Sequence, residues 1–277
     1  MVSILSIAAM CFAAIVPIGL LVVLLILAMT KFKAGFRQVA FGAGVMLVFA
    51  FLLEGLVNRT FLVWVGPTAA FFNGNILAYC LYAGLMAGIF EETGRFIAMK
   101  LFFKNQHEWK HGVAYGLGHG GLELLCIGGL IALTNISNIV VSVMINVGKY
   151  DQIVKLAPAQ SLALEHGRQQ LISLPASTFL IGAVERIDTL FIQLALSILV
   201  LYAVAKRRYL FYLLAILIHA AMDFTVAFTG KLGVNMWLIE LIIFLIAIVS
   251  VIFIIQSRKL FMHEQKSGET PAPVGMP

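Results

Sequence analysis

Seven long runs of hydrophobic residues follow one another along the chain, with short polar segments between them. An α-helix needs about 20 apolar residues to cross a hydrocarbon core of roughly 30 Å. The pattern therefore predicts an all-α fold, a polytopic bundle of about seven transmembrane helices, of which the long third and fourth are tilted or broken. The predicted spans are residues 3–30, 38–57, 73–103, 112–147, 176–205, 209–229 and 235–257.

The polar segments predict how the rest of the chain is organised. Residues 148–175 form the one sizeable loop, whose sequence allows a short amphipathic helix at the membrane interface. Residues 263–277 are polar and rich in Pro and Gly, which is typical of a disordered tail. We therefore expect a single transmembrane domain over residues 1–262. The first run has no basic segment before it, so we expect a retained helix and not a cleaved signal peptide.

The composition agrees with a membrane protein. Hydrophobic residues make up 61% of the chain and charged residues 12%, against about 25% charged residues in soluble domains. The net charge of +6 does not indicate a nucleic-acid partner, because Lys and Arg cluster at the ends of the predicted helices. The three cysteines lie in apolar runs and are expected to be small buried hydrophobes, with neither a disulfide framework nor a CxxC metal site. They are Cys11, Cys80 and Cys126.

The distribution of Lys and Arg predicts the orientation of the bundle. Twelve of them follow spans 1, 3 and 5 or lie in the C-terminal tail, and five lie on the other side. Cytoplasmic segments carry the excess of basic residues. We therefore predict the N-terminus outside and the C-terminus inside, which an odd number of spans requires to be on opposite sides.

Three pairs of ionisable residues inside the hydrophobic runs share one spacing of four positions. They are Glu91–Arg95 in FEETGRF, His119–Glu123 in GLGHGGLE and His219–Asp223 in LIHAAMDF. Residues four apart share one face of a helix. At 1.5 Å per residue the three pairs lie at one level, roughly 10–15 Å from the basic ends of their helices. Because charge is costly in lipid, we expect all three to face the bundle interior and to converge there.

The residue types in this cluster indicate hydrolytic chemistry. A buried carboxylate such as Glu91 or Glu92 can act as general base toward water, with Arg95 holding the adjacent carboxylate in place. Two imidazoles from facing helices, His119 and His219, can steady that water or donate to a developing oxyanion. The expected catalytic set is therefore these five residues.

The same cluster also allows a metal. Two histidines and one carboxylate form a common hydrolytic zinc set, here His119 and His219 with Glu91, Glu123 or Asp223. Zinc and a metal-free mechanism therefore both stay open, with Glu123 and Asp223 as supporting residues. The spacing HxxxE is not the HExxH zincin pattern. The glycines that flank His119 either pack helices closely or leave space for a substrate backbone.

A second acidic set lies nearer the outer end of the bundle. Glu185, Arg186 and Asp188 occur in span 5, where the first two can form an ion pair. Glu54 and Glu240 lie near the outer ends of spans 2 and 7, where we expect exposure to lipid headgroups. Carboxylates along a bundle are typical of ion or proton pathways. This set is therefore the feature that favours transport.

Three sequence motifs carry a resemblance to a known family. EETGR, a histidine deep in the next span and then HAAMD resemble the signature of the CPBP family of intramembrane proteases, which includes the type II CAAX prenyl endopeptidases. EETGR and GHGGLE are most similar to the corresponding motifs of its bacterial YhfC-like branch. The resemblance covers about residues 75–225 and implies a multi-helix membrane endopeptidase in which a glutamate activates water.

The resemblance implies roles for single residues. It makes Glu91 the general base, His119 the second-motif histidine and His219 the third-motif histidine, with Asp223 closing the third motif. The CAAX enzymes usually show EExxxR, one residue longer than EETGR, and FxxxH where Tyr115 stands here. Specificity for prenylated CAAX substrates is therefore not carried over.

The leading hypothesis is an intramembrane endopeptidase of a bacterial cell membrane that hydrolyses a peptide bond near the cytoplasmic leaflet. Its expected partners are the lipid bilayer and a membrane-embedded or membrane-associated peptide, with no nucleic acid. One alternative is a proton- or ion-coupled transporter, which the second acidic set favours. Another is a non-catalytic membrane or immunity protein that keeps the site and cleaves nothing.

Overall fold

The computed structural model describes residues 1–104 and 106–262, and the predicted tail at 263–277 lies outside this part of the chain. Within the described residues the chain is helical and has no strand. The α-helices are α1 (Ile4–Thr30), α2 (Phe36–Val45), α3 (Gly55–Arg59), α4 (Gly66–Gly74), α5 (Ile76–Phe102), α6 (Trp109–Glu123), α7 (Gly129–Asn146), α8 (Tyr150–Leu156), α9 (Ser161–Ser173), α10 (Ile181–Ala205), α11 (Leu210–Lys231) and α12 (Met236–Met262). The π-helical segments are Met46–Glu54, Thr60–Trp64 and Leu124–Gly128.

In the part of the chain that the structure describes, seven helical stretches are long and apolar enough to cross a membrane, which confirms the predicted number of spans. They are Ile4–Thr30, Phe36–Trp64, Ile76–Phe102, Trp109–Asn146, Ile181–Ala205, Leu210–Lys231 and Met236–Phe261. The second span runs beyond the predicted residue 57, because the π-helical segments continue its helical backbone.

The two long spans differ in how they are built. The third is the uninterrupted helix α5, which begins directly after Asn75. The Asn75 side chain accepts a hydrogen bond from the Ala78 amide at 3.0 Å and so caps the first turn of α5. The fourth runs from α6 through the π-helical segment Leu124–Gly128 into α7. Such π-helical insertions are frequent at functional sites.

The helix α10 is the centre of the bundle. In its most apolar stretch 72% of the residues are buried, against 28% or less in the other six spans. It packs against α1, α5, α6, α11 and α12. Polar residues on α10 are therefore enclosed by protein on most sides and not by lipid.

Two glycines allow the close helix contacts that position the polar cluster. A Cβ at Gly88 on α5 would lie 2.7 Å from the Ile216 carbonyl oxygen of α11. A Cβ at Gly118 on α6 would lie 1.9 Å from the Val39 carbonyl oxygen of α2. Side chains at these positions would separate the helices, because each contact is with backbone that cannot yield.

The segments that are richest in Lys and Arg meet at one end of the bundle, here called the basic end. The Arg37 guanidinium donates to the Phe102 carbonyl at 3.0 Å, and the rings of Tyr202 and Phe261 lie 5.9 Å apart. These contacts join the ends of spans 2, 3, 5 and 7. Which membrane face this end occupies stays a prediction.

The opposite end carries the predicted helical loop, and one cysteine differs from expectation. The loop at residues 148–175 contains α8 and α9, as predicted, and Leu171 of α9 is buried. Cys80 is buried and Cys11 is half-buried, but Cys126 is exposed. The prediction of burial is therefore wrong for Cys126, which lies in the π-helical segment and faces away from the bundle core.

Candidate functional site

The candidate site is centred on Arg95, which is fully buried on α5. Its Nη2 atom lies 3.3 Å from Glu91 Oε2, and its Nη1 atom donates to Glu92 Oε1. One guanidinium therefore neutralises two neighbouring carboxylates on its own helix, at the three- and four-residue spacings that place side chains together.

Each of the two glutamates also accepts a hydrogen bond from a histidine on another helix. His119 Nε2 on α6 donates to Glu91 Oε2 at 2.8 Å, and His219 Nδ1 on α11 donates to Glu92 Oε1 at 2.7 Å. The predicted convergence of the three helices is therefore present. Adjacent positions on α5 point in different directions, so one turn of helix reaches two partner helices.

The third predicted pair is only partly formed. His219 Nε2 lies 3.6 Å from Asp223 Oδ2, with the Asp223 side chain 40% exposed. Glu123 pairs with Arg186, whose Nη1 atom donates to Glu123 Oε1 at 2.8 Å, and not with His119. The four-residue spacing thus describes a shared helix face and does not by itself decide which side chains bond.

Gln193 of α10 is a central residue that sequence reasoning missed. Arg95 Nη2 donates to Gln193 Oε1. Gln193 Nε2 lies 3.3 Å from Glu91 Oε2 and 2.9 Å from Glu123 Oε2. The available signal was an amide in an apolar run, seven positions after Arg186 and therefore on the same helix face.

The second acidic set is joined to the site, contrary to the expectation that it lies apart. Arg186 donates to Glu123 and also to its neighbour Glu185. Through Glu123 and Gln193 these residues belong to the hydrogen-bonded network around Arg95. Asp188 is buried, and its Oδ2 atom has no hydrogen-bond partner among the described residues.

The expectation that Glu54 and Glu240 are exposed to headgroups is wrong. Glu240 on α12 is only 6% exposed, and α12 packs against α10. Glu54 is half-buried, accepts a hydrogen bond from Asn58 at 3.1 Å and lines a cavity inside the bundle.

This cavity has a volume of about 370 Å³, within the range of roughly 300–1,000 Å³ that is typical of small-ligand sites. Glu91, Glu123, His219 and Asp223 contribute to its wall, and so does Gln193. The remaining wall is largely apolar and comes mainly from α10, α11 and α12, with Ala83 and Ala87 from α5 and Glu54 and Asn58 from the second span. Of the five predicted catalytic residues, Glu91 and His219 contact the cavity.

The other predicted catalytic residues lie behind the cavity wall. Glu92, Arg95 and His119 are each fully buried, and none is among the described residues that line the cavity. His119 stacks on Tyr115, with ring centroids 6.1 Å apart. These side chains can therefore orient the residues that face the cavity.

The glycines around His119 serve helix packing. A Cβ at Gly116 would lie 2.9 Å from Leu194 of α10, and one at Gly120 would lie 2.8 Å from Gln193. Neither glycine is among the described residues of the cavity wall. Of the two readings of the glycine pattern, the structure therefore supports close helix packing.

The side chains that could bind zinc are already hydrogen-bonded to one another. His119 is bonded to Glu91 and His219 to Glu92, while Arg95 donates to both carboxylates. Within the described part of the chain, no group of three His, Cys, Asp or Glu side chains is placed to hold one metal ion. The guanidinium also already places a positive charge beside Glu91. In this arrangement the donor set does not fit a zinc ion, and the zinc ligands stay a prediction.

Comparison with known proteins adds an independent finding. A family model described as "YhfC intramembrane metalloprotease" matches residues 12–243. The chain is also 38% identical over 250 residues to the Bacillus subtilis (strain 168) protein named "Uncharacterized membrane protein YhfC", a match that covers 90% of this chain and 93% of that protein. No solved structure matches. The residues matched by the family model include the whole network around Arg95 and every described residue of the cavity wall except Ile246.

Proposed function

The chain belongs to the YhfC intramembrane metalloprotease family, and we propose that it is an intramembrane endopeptidase in which Glu91 activates the hydrolytic water. The observation that carries the proposal is that Glu91 lines the cavity while three side chains donate to its Oε2 atom. The donors are His119, Arg95 and Gln193. A carboxylate held in this way has a defined position and one oxygen left for water.

The proposed reaction begins with water bound between Glu91 and a peptide carbonyl in the cavity. Glu91 takes a proton from the water as the hydroxide oxygen bonds to the carbonyl carbon, which leaves a tetrahedral oxyanion. When this intermediate collapses, the carbon–nitrogen bond breaks. The proton held by Glu91 goes to the leaving nitrogen, so the carboxylate is regenerated.

His219 is the proposed oxyanion donor. It lines the cavity, and its Nδ1 atom is held by the buried Glu92. In the imidazolium form, which the Glu92 and Asp223 carboxylates on its two sides stabilise, His219 also carries a proton on Nε2, and this N–H can donate to an oxyanion in the cavity. A donor that is already oriented needs no rearrangement as the charge develops.

His119, Arg95 and Glu92 are proposed as positioning residues. Each acts through a group that faces the cavity: His119 and Arg95 through Glu91, and Glu92 through His219. This division assigns the five predicted catalytic residues two kinds of role. Glu123 and Asp223 are the supporting residues that border the same space.

Glu91 and His219 lie at the end of the cavity that is nearest the basic end, and the cavity extends from them toward the opposite end of the bundle. Along α5 it is lined from Ala83 to Glu91, and α5 runs toward the basic end, so Glu91 is the wall residue of α5 nearest that end. Along α11, which runs the other way, His219 holds the same place and Val226 lies farther out. The geometry supports a peptide substrate that enters from the opposite end and is cut in the half nearer the basic end.

Cleavage profiling of the purified full-length chain tests the proposal. The protein, reconstituted in lipid vesicles, is mixed with a library of apolar peptides, and new termini are identified by mass spectrometry. Cleavage by the parent that is lost in Glu91→Gln supports the proposal. Absence of cleavage by a folded parent, or equal cleavage by both proteins, contradicts it.

The metal is a separate measurement. Elemental analysis after purification without added metal, together with activity in chelator, decides between the two mechanisms. The observed donor pairing leads us to expect less than about a tenth of an equivalent of zinc with activity retained. An equivalent of zinc, with activity lost in chelator and restored by zinc, would establish the metal-dependent mechanism that the family description states.

One observation favours a second candidate function. Glu54 and Glu185 also line the cavity, and both lie farther along their spans from the basic end than Glu91 does. Carboxylate series of this kind occur in proton-coupled transporters. Proton flux in vesicles that contain the parent, and its loss in Glu185→Gln, would favour transport over hydrolysis.

A further inference from the structure

A second pocket, of about 300 Å³, lies at the basic end of the bundle and is separate from the cavity around Glu91. It is formed where α1 ends, where α6 begins and in the last turns of α12. Three cationic side chains, one from each of these segments, border it. They are Lys31, Lys110 and Arg258.

The charge of this pocket is not balanced by its own acidic residue. Glu108 is the carboxylate of the described wall, and its Oε2 atom lies 3.0 Å from Lys110 Nζ. Arg258 lies over the Trp109 ring at 5.8 Å. Neither Arg258 nor Lys31 forms an ion pair with a carboxylate among the described residues. Among the described residues of the wall, three positive side chains and one negative one leave a net positive charge.

The floor of the pocket is an ordered aromatic ring. Trp109 Nε1 donates to the Ile254 carbonyl at 3.0 Å and to Ser257 Oγ at 3.1 Å. Phe32 packs edge-on against the same indole, with centroids 5.5 Å apart. These contacts tie α6 to α12 and α1, so the positions around the pocket are formed before any ligand binds.

The surroundings place the pocket at the membrane interface. Tryptophan is enriched at headgroup level, and basic residues gather on the polar side of it. Apolar side chains on the adjoining parts of α1 and α12 face outward, including Leu27 at 41% exposed and Ile255 at 67% exposed. A ligand in the pocket can therefore contact cations with its head and these side chains with an acyl chain.

We propose that this pocket binds the phosphodiester headgroup of an anionic phospholipid. Basic pockets between transmembrane helices recognise acidic headgroups, since Lys and Arg donate to phosphate oxygens while the glycerol backbone stays at the interface. The bound lipid fastens three helix ends of the bundle together. The proposal is independent of the reaction at Glu91.

Native mass spectrometry of the full-length protein tests the proposal. Parent protein is titrated with phosphatidylglycerol, with phosphatidylcholine, and with inorganic phosphate in detergent. The doubly substituted Lys31→Gln/Arg258→Gln protein is compared with Lys149→Gln/Lys155→Gln, which removes the same charge at the opposite end. Each basic residue near an anionic surface contributes about fivefold, so we expect about 25-fold weaker phosphatidylglycerol binding in the first variant and little change in the second.

A substitution that removes a negative charge separates an electrostatic effect from a folding defect, because it should strengthen lipid binding. Glu108→Gln removes the carboxylate of the pocket and should tighten phosphatidylglycerol binding by about fivefold. Equal losses in both double variants, equal binding of phosphatidylcholine, or weaker binding in Glu108→Gln would each overturn the proposal. Inorganic phosphate that binds as tightly as the lipid would instead show a site for free phosphate.

Discussion

Two buried arginines each hold two carboxylates, and the difference between their surroundings separates the proposed reaction centre from its support. Arg95 binds Glu91 and Glu92, and Arg186 binds Glu123 and its neighbour Glu185. Both carboxylates at Arg95 also accept from a histidine. The hydrogen bonds described for the carboxylates at Arg186 come from that arginine and Gln193.

The comparison shows which feature indicates chemistry in a membrane interior. Buried ion pairs occur at both places, because an unpaired charge there is costly. Both places border the cavity, and among the described residues the histidines His119 and His219 belong to the one at Arg95. An arginine–carboxylate pair alone therefore indicates a compensated charge, and the imidazole partners indicate a site.

The largest expected effect on cleavage distinguishes two matched substitutions, in which one glutamate beside Arg95 or one beside Arg186 is replaced by glutamine. Glu91→Gln keeps the shape of the side chain but removes proton acceptance, so we expect cleavage to fall by about 10²–10⁴. Glu185→Gln removes the same charge at Arg186 and should leave cleavage within a few-fold of the parent. Rates are measured in one assay and normalised to folded protein. Parental cleavage by Glu91→Gln would remove the basis for the comparison.

Loss of the arginines themselves should differ in stability. Arg95→Gln leaves two enclosed carboxylates without their cation, and breaking such a pair costs about 3–5 kcal/mol. Arg186→Gln should cost less, since the Glu185 side chain is 33% exposed and can be hydrated from the cavity. Thermal unfolding in detergent gives the order. A larger loss for Arg186→Gln would reverse the ranking of the two centres.

Gln193 is expected to link the two centres. Gln193→Leu removes one hydrogen bond each from Arg95, Glu91 and Glu123 and takes away the donor described for Glu123 Oε2, at about 1–3 kcal/mol for the site. We expect about tenfold slower cleavage. A double-mutant cycle with Glu185→Gln should show coupling in stability. Ser197→Ala is the matched control, because its hydroxyl donates to the Gln193 carbonyl within the same helix, at 2.7 Å.

The smallest effect is expected at Asp188. Its Oδ2 atom has no partner among the described residues, and Asp188→Asn keeps the volume of the side chain. Cleavage should therefore stay at the parental level. Proton flux in vesicles is the second measurement. Proton flux that is present in the parent and absent in Asp188→Asn would support the transport function and not hydrolysis.

Much of the cluster could be predicted because its signals are local. EETGR already implies that Arg95 meets Glu91 and Glu92, since helical spacing places them together. The level of His119 and His219 along their helices could be counted from the ends of the hydrophobic runs. The partner of Glu123 could not be predicted, because the bond to Arg186 depends on how α6 is rotated against α10.

The sequence by itself determined that this chain is a bundle of seven apolar helices with a few ionisable residues at one depth, because hydropathy and helical spacing are properties of neighbouring residues. Only the tertiary structure decided that Glu91 and His219 face a cavity while Glu92 and His119 stand behind it. It also placed Gln193 between the two arginines. The physical reason is that helix rotation and separation are set by packing between distant segments, such as Gly88 against Ile216, which no local pattern records.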